Sequence, residues 1–406
     1  MNRLIGLMGL GIILLIAYLL SNNKKKINWK LVAIGIGLQV VFGILILKFP
    51  PGRVAFEAVG GVINKLLDFT REGSAFLFGD LVNSNKMGVI FAFQILPTIV
   101  FFSAFMSILY YLGVMQLIIS ILAKGIARLL GTSGAETLSA VGNIFLGQTE
   151  APLLIKPFIR KMTKSELLTI MIGGMATVAG GVMAGYVAMG VSASYLLAAS
   201  IMAAPGGLII SKIIFPETET PATKDKLDME LESQSSNIID AAATGASEGL
   251  SLALNVGAML LAFIALIAVV NSLIGWVGGI FGFTNLSLGW ILGRVFAPLA
   301  FVMGIPTQDI ITAGDLFGTK VVLNEFVAYA RFAPMIKSGA LHPKTVVILT
   351  YALCGFANIS SIGIQIAGIG GLAKERRQEI AELGVKALIG GLLTTCMTGT
   401  IAGILM

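Results

Sequence analysis

Apolar runs long enough to cross a bilayer recur from one end of this chain to the other, and they leave it few architectures. Residues 4–20, 31–48, 88–114, 165–190, 194–215, 250–275, 345–372 and 385–406 are each apolar over most of their length. A helix needs about 20 such residues to span the hydrocarbon core. Lipid offers no partner to a free N–H or C=O, so only helices and closed barrels can span it. Barrel strands would alternate apolar and polar residues; these runs are continuous, so they are helices. Composition agrees, with 56% hydrophobic and only 12% charged residues, against about 25% charged in soluble domains. The 49 glycines suit close helix packing and interrupted helices.

Several function classes are excluded early. The net charge of +7 is spread over loop ends, with no basic and aromatic stripe that would bind a nucleic acid. The single histidine, His342, cannot by itself build a metal cluster or a histidine-based catalytic set. Cys354 and Cys396 lie in apolar segments and read as small packed groups rather than a disulfide. The run 4–20 is long for a signal peptide and ends in Ser21-Asn22-Asn23-Lys24-Lys25-Lys26, so it is expected to be the first spanning helix. Gly245-Ala246-Ser247-Glu248-Gly249 matches a nucleophile pattern but has no strand before it, and reads as the start of a small-residue helix. No phosphate-binding loop supplies ATP drive. The chain is not expected to be an enzyme.

The remaining stretches carry the information. Residues 55–80 and 115–130 mix charged and apolar residues, as amphipathic segments on a membrane surface do. Residues 216–240 form the only soluble-looking linker. Residues 133–162 and 306–342 are apolar but broken, and each holds one glutamate, Glu150 or Glu325, among apolar neighbours. An ionisable group at bilayer depth is expensive and normally faces a cavity where it handles a substrate or ion. A segment that enters, turns and leaves on one side would carry its charges at its ends, as Glu136, Arg160 and Lys161 do in one stretch and Asp309 and Lys337 in the other.

The two stretches head an internal repeat. Each is followed by a helix with a polar or glycine-rich break, at 173–181 and at 354–361, and then by a whole helix, 194–215 and 385–406. An odd number of crossings separates equivalent points, so the copies are inverted. Inverted repeats with broken helices and a midplane site are the plan of secondary transporters. The fold class expected is therefore an all-α polytopic membrane protein with eight transmembrane helices and two re-entrant hairpins. Its domains would be scaffold helices and interfacial segments over 1–132, the first transport repeat over 133–215, a cytoplasmic linker over 216–249, a scaffold helix and connection over 250–305, and the second transport repeat over 306–406. Placing both chain ends outside puts most Lys and Arg on the cytoplasmic side.

Gln148, Thr149 and Glu150 could hydrogen-bond a substrate, or cap their own hairpin turn. Glu325 could do the first, or pair with Lys320 or Arg331. Asn358 and Ser361 are one turn apart and share a face; they could serve a site or join two helices. Asn143 and Thr177 are ordinary oxygen donors, and Phe356 alone would be core.

At these residues the chain resembles the concentrative nucleoside transporters, bacterial eight-helix type. The resemblance rests on Gly147-Gln148-Thr149-Glu150-Ala151-Pro152-Leu153, on Asn324-Glu325-Phe326-Val327-Ala328-Tyr329 and on Cys354-Gly355-Phe356-Ala357-Asn358-Ile359-Ser360-Ser361-Ile362. It extends over essentially the whole chain. It implies a homotrimer in the inner membrane that imports nucleosides by Na+ symport, with a transport domain moving like an elevator. It implies that Gln148, Thr149 and Glu150 bind the nucleobase with Val182 packed against it, that Glu325, Asn358 and Ser361 bind the ribose hydroxyls, and that Phe356 packs on the nucleoside. It implies a Na+ site built from the side chains of Asn143 and Thr177 and the carbonyls of Leu146 and Val178, with Na+ as coupling ion and no other cofactor. Thr177 stands where a serine is expected; the hydroxyl is kept. Coupling to protons through Glu150 or Glu325 is the alternative, with a channel or an intramembrane enzyme more remote.

Overall fold

The computed structural model describes residues 2–87, 90–224, 235–283 and 286–406, and every regular element among them is helical. The first helices are α1 (Asn2–Leu19), α2 (Trp29–Leu47), α3 (Pro50–Phe78), α4 (Leu96–Tyr111) and α5 (Val114–Leu130). Helix α3 is the long amphipathic segment, with Glu57, Lys65, Asp68, Arg71 and Glu72 on its polar side. The apolar run at 88–114 becomes a single turn, Phe91–Gln94, running into α4; residues 88 and 89 lie outside the described residues.

The first broken stretch has one helical limb, α6 (Gly134–Gly142). Its return limb is a 3-10 turn, Ala151–Ile155, and one α turn, Lys156–Ile159, because Pro152 and Pro157 remove the donors a longer helix needs. The helix that follows is interrupted as expected: α7 (Lys164–Ala176) stops, Thr177 and Val178 run extended or irregular, and α8 (Gly180–Met189) resumes. Then comes α9 (Ala193–Ile214), with Pro205 inside it.

Asn237 begins α10 (Ile238–Ile280) by accepting from the N–H groups of Ile239 and Asp240. This helix has 43 residues, so it starts well inside the span read as linker; residues 225–234 of that linker lie outside the described residues. Gly245 and Gly249 press α10 onto α4. A Cβ at either would meet Ser103 within 2.8 Å, on backbone or side chain. The nucleophile-like pattern is thus a helix-packing surface. The connection at 276–305, assigned no element from sequence, holds α11 (Leu288–Val295) and α12 (Ala297–Val302).

The second broken stretch forms α13 (Ile310–Val322) and α14 (Glu325–Lys337), parted at Leu323 and Asn324. The second broken helix is α15 (Pro343–Leu353) and α16 (Ile359–Leu372). His342 caps α15, its Nδ1 accepting from the Lys344 N–H at 3.1 Å. The chain closes with α17 (Arg377–Leu405), eight residues earlier than its apolar run, the charged first turns lying at its end.

Among the described residues, six helical spans have the length and apolar composition to cross a membrane: Trp29–Leu47, Phe91–Tyr111, Lys164–Met189, Ala193–Ile214, Ile238–Ile280 and Lys374–Leu405. Leu4–Leu19 and the pair Pro343–Leu353 and Ile359–Leu372 are shorter apolar helices. Burial divides them. Helices α7, α8 and α9 are almost wholly enclosed, whereas α10 exposes Leu254, Leu261, Ile264 and Trp276. A large apolar outer surface belongs in lipid or against another copy.

Polar contacts fix the enclosed helices. Two capping boxes, Ser133 with Glu136 on α6 and Thr163 with Glu166 on α7, are joined when the Ser133 hydroxyl donates to Glu166. Buried Lys212 of α9 completes this corner, 2.7 Å from Glu136 and 2.8 Å from the Ser165 hydroxyl. At mid-helix, buried Gln39 of α2 donates to the Met202 carbonyl at 2.8 Å, beside the bend at Pro205. Cys354 and Cys396 are buried free thiols.

Candidate functional site

The two breaks meet. Phe356 N–H donates to the Thr177 carbonyl at 3.2 Å, joining the second interruption to the first. Gly355 makes this possible: its φ of 147° lies in the region that favours glycine, and a Cβ there would stand 2.9 Å from the Met175 carbonyl oxygen. The first hairpin tip reaches the same junction, where Gly180 N–H donates to the Phe145 carbonyl at 2.9 Å.

Polar side chains from both repeats converge there. Asn358 is the N-cap of α16; its Oδ1 accepts from Ser361 N–H at 2.9 Å and from the Ser360 hydroxyl at 2.6 Å. That leaves the Asn358 amide nitrogen free to donate to Glu325 Oε2 at 2.9 Å. Glu325 opens α14, where the partial positive charge of a helix start favours a carboxylate. The Tyr186 hydroxyl of α8 reaches Glu325 Oε1 at 3.3 Å. From the first hairpin, the Gln148 amide donates to the Ser361 hydroxyl at 3.1 Å across 213 residues of sequence. Gln148, Glu325, Asn358, Ser361 and Tyr186 therefore form one connected polar cluster, and Gln148 Oε1 is buried in it without a partner.

The other residues singled out from sequence stand around this cluster. Thr149 packs its methyl against α16 at Gly368. Glu150 is exposed, and its Oε2 accepts from Gly147 N–H at 3.0 Å. The carboxylate thus closes its own hairpin turn. Val182 is buried on α8 one turn before Tyr186, and Phe356 is half-buried at the junction. Neither Lys320 nor Arg331 ion-pairs with Glu325. Arg331 binds Asp315, and Lys320 donates to the Ala352 carbonyl and the Thr395 hydroxyl.

A second group of oxygens lies behind the tip. Asn143 ends α6 and is fully buried; its Nδ2 donates to the Ser139 carbonyl at 2.9 Å. Its Oδ1 has no partner. Orphaned buried acceptors are rare and call for an explanation such as an ion. Thr177 donates to the Gly173 carbonyl at 2.9 Å, which leaves its oxygen lone pairs available. Asn143 and Gly173 are neighbours, with the amide nitrogen 3.4 Å from where a Gly173 Cβ would be. Among the described residues, the Leu146 and Val178 carbonyls accept no backbone hydrogen bond outside the helices. Neutral oxygens at a broken helix suit a desolvated monovalent cation.

Sequence reasoning missed Tyr186 and Gln365. Gln365 is fully buried, one turn beyond Ser361 on the face of Asn358, and donates to the Met171 carbonyl at 2.9 Å. Its spacing was readable. Tyr186 contacts a residue 139 positions away, which no local pattern encodes.

The chain matches the family model described as Na+ dependent nucleoside transporter C-terminus over residues 195–403, the corresponding N-terminus model over 8–81, and a model described as nucleoside recognition over 92–193. It is 43% identical to the nucleoside permease NupC of Helicobacter pylori, over 99% of this chain and 98% of that one. Among solved structures, it is similar to CNTnw in an inward-facing substrate-bound state, with a TM-score of 0.94, 46% identity, and coverage of 100% of this chain and 98% of that one. It is equally similar to a double variant of CNTnw in an outward-facing state, with a TM-score of 0.95, 46% identity and the same coverage.

Proposed function

The chain belongs to the Na+ dependent nucleoside transporter family and is a multi-pass membrane transporter, and we propose that it imports nucleosides by Na+ symport through the cluster where its two breaks meet. The observation that carries this proposal is the Glu325 carboxylate, buried at a helix start and bonded to Asn358 and Tyr186 between the two repeats. A ribose presents vicinal hydroxyls, and an ionised carboxylate accepts from both, while Asn358 and Ser361 supply an amide and a hydroxyl. Gln148, Thr149 and Glu150 present donors and acceptors to a nucleobase edge, with Val182 as the apolar wall and Phe356 packed on the nucleoside. Gln148 exchanges its bond to Ser361 for bonds to substrate, and its orphaned Oε1 gains a donor.

Na+ is held by Asn143 Oδ1, the Thr177 hydroxyl and the carbonyls of Leu146 and Val178. Ion binding there orders the segment that carries Gln148, Thr149 and Glu150. The ion and the nucleoside therefore favour each other's binding by the same factor. The two repeats, joined through Phe356, Gly355 and Thr177, move as one transport domain against α1, α2, α4 and α10. The eight crossings, two re-entrant hairpins, homotrimer, inner-membrane location and outward chain ends belong to the same proposal.

Equilibrium binding of uridine and adenosine to purified protein in Na+ and in choline tests the site. Tight binding in Na+, weakened in choline and abolished by Glu325→Gln, is expected. Nucleoside binding that ignores Na+ but follows pH moves the coupling onto a glutamate. Absence of binding under every condition contradicts the site.

A further inference from the structure

The two broken helices end differently at their carbonyl ends, and the difference has a charge. In the first repeat the end of α7 faces neutral donors, Thr177 and the partnerless Asn143 Oδ1. In the second repeat the end of α15 already holds a cation. Lys320 of α13 is 0% exposed, and its ammonium donates to the Ala352 carbonyl at 2.8 Å and to the Thr395 hydroxyl at 3.1 Å. Ala352 is the second-last residue of α15. In a continuous helix its carbonyl would accept from Phe356 N–H, but that donor turns to Thr177. The break therefore leaves a carbonyl at the negative end of a half-helix. A buried ammonium is costly unless such groups meet it. Thr395, on α17, is also the residue that backs the break, its methyl 2.8 Å from where a Gly355 Cβ would be.

We propose that Lys320 is the tethered cation of the second repeat, doing permanently there what a mobile Na+ does in the first, and so limiting coupling to one cation site. The comparison between repeats rests on the Na+ site proposed above at Asn143 and Thr177. Lys320 is a positioning residue: it holds the second break in the shape that presents Asn358 and Ser361, and contacts no substrate. Removing the ammonium while leaving space uncovers a second cation site at the Ala352 carbonyl and Thr395.

The test is the Na+ dependence of uridine uptake and of thermal unfolding for the wild type, Lys320→Ala, Lys320→Arg and Asn143→Ala. The expected result for Lys320→Ala is a Hill slope for Na+ that rises from about one to about two, with a larger stabilisation by Na+ than in the wild type. Lys320→Arg, which keeps a tethered charge, retains the wild-type slope. If Lys320→Ala keeps the wild-type slope and is depressed equally at every Na+ concentration, the lysine only packs, and the proposal falls. Should Lys320→Ala fail to fold in choline, recovery in high Na+ or methylammonium supports the assignment and failure in every cation overturns it. Na+ stabilisation of Lys320→Ala does not require the first ion site to be correct. Asn143→Ala tests that site separately.

Discussion

In the proposed coupled site, Glu325 and Asn143 divide the work between single side chains. Glu325 is a buried carboxyl group bonded on both oxygens and placed at a helix start, and the proposed site uses it ionised. Glu325→Gln keeps the shape and removes the charge, so two charge-assisted hydrogen bonds to substrate are lost. At about 1.5–3 kcal/mol for a hydrogen bond to a charged group, uptake should fall by at least tenfold. Size-exclusion chromatography should find the oligomer unchanged; a variant that dissociates would make this glutamate structural. Asn143 carries an unpaired buried oxygen, so Asn143→Ala removes the proposed ion ligand together with the hydrogen bond to the Ser139 carbonyl. Together with Thr177→Ala it should abolish the Na+ dependence of uptake, and unchanged Na+ activation would remove the proposed ion site. Thr177→Ser should transport normally, because only the hydroxyl is used. Glu325, Asn358 and Ser361 were legible because charge and polarity are conspicuous in apolar sequence. Asn143 was not conspicuous, since an asparagine at a helix end usually caps it. Glu150 closes the Gly147 turn, the capping reading made of it, and its contact with a nucleobase belongs to the proposed function.

At the scale of elements, the breaks matter more than the helices. Both were legible as polar or glycine-rich interruptions of apolar runs. That they touch was not, because the contact is between backbone groups, Phe356 N–H and the Thr177 carbonyl. Gly355 is the tightest point of that contact. Gly355→Ala forces a Cβ to within 2.9 Å of backbone atoms at a φ of 147°. Strain of this kind costs roughly 1–3 kcal/mol before any clash is relieved. Its melting temperature should drop, and uptake should fall further than stability alone explains, because the break positions Asn358. A fully active Gly355→Ala protein would contradict the proposed rigid junction. Helix ends were less legible. The start of α10 at Ile238 was hidden by a polar first stretch, which the Asn237 cap makes helical. The short helices α11 and α12 were hidden in an apolar connection that Arg294 and Pro298 break into two pieces.

On the scale of the molecule, an enclosed pair of repeats sits against helices whose outer faces are apolar. The order of broken stretch, interrupted helix and whole helix in each half was readable from sequence, because it needs only the order of the runs. The packing of one copy on the other follows from side chains such as Gln148 and Ser361, which lie 213 residues apart. Assembly as a trimer predicts a mass of three copies of the 42.6 kDa chain by mass photometry in detergent, with Glu325→Gln unchanged. A monomer of undiminished activity would contradict the scaffold role given to α1, α2, α4 and α10.

The central claim is that Na+ drives nucleoside accumulation through this site. Its most direct test is uridine uptake by purified protein in proteoliposomes, with an inward Na+ gradient and with choline in its place, repeated with purine nucleosides. The account predicts accumulation above equilibrium only with Na+. Accumulation with an inward proton gradient and no Na+, or movement only to equilibrium under every gradient, would contradict it.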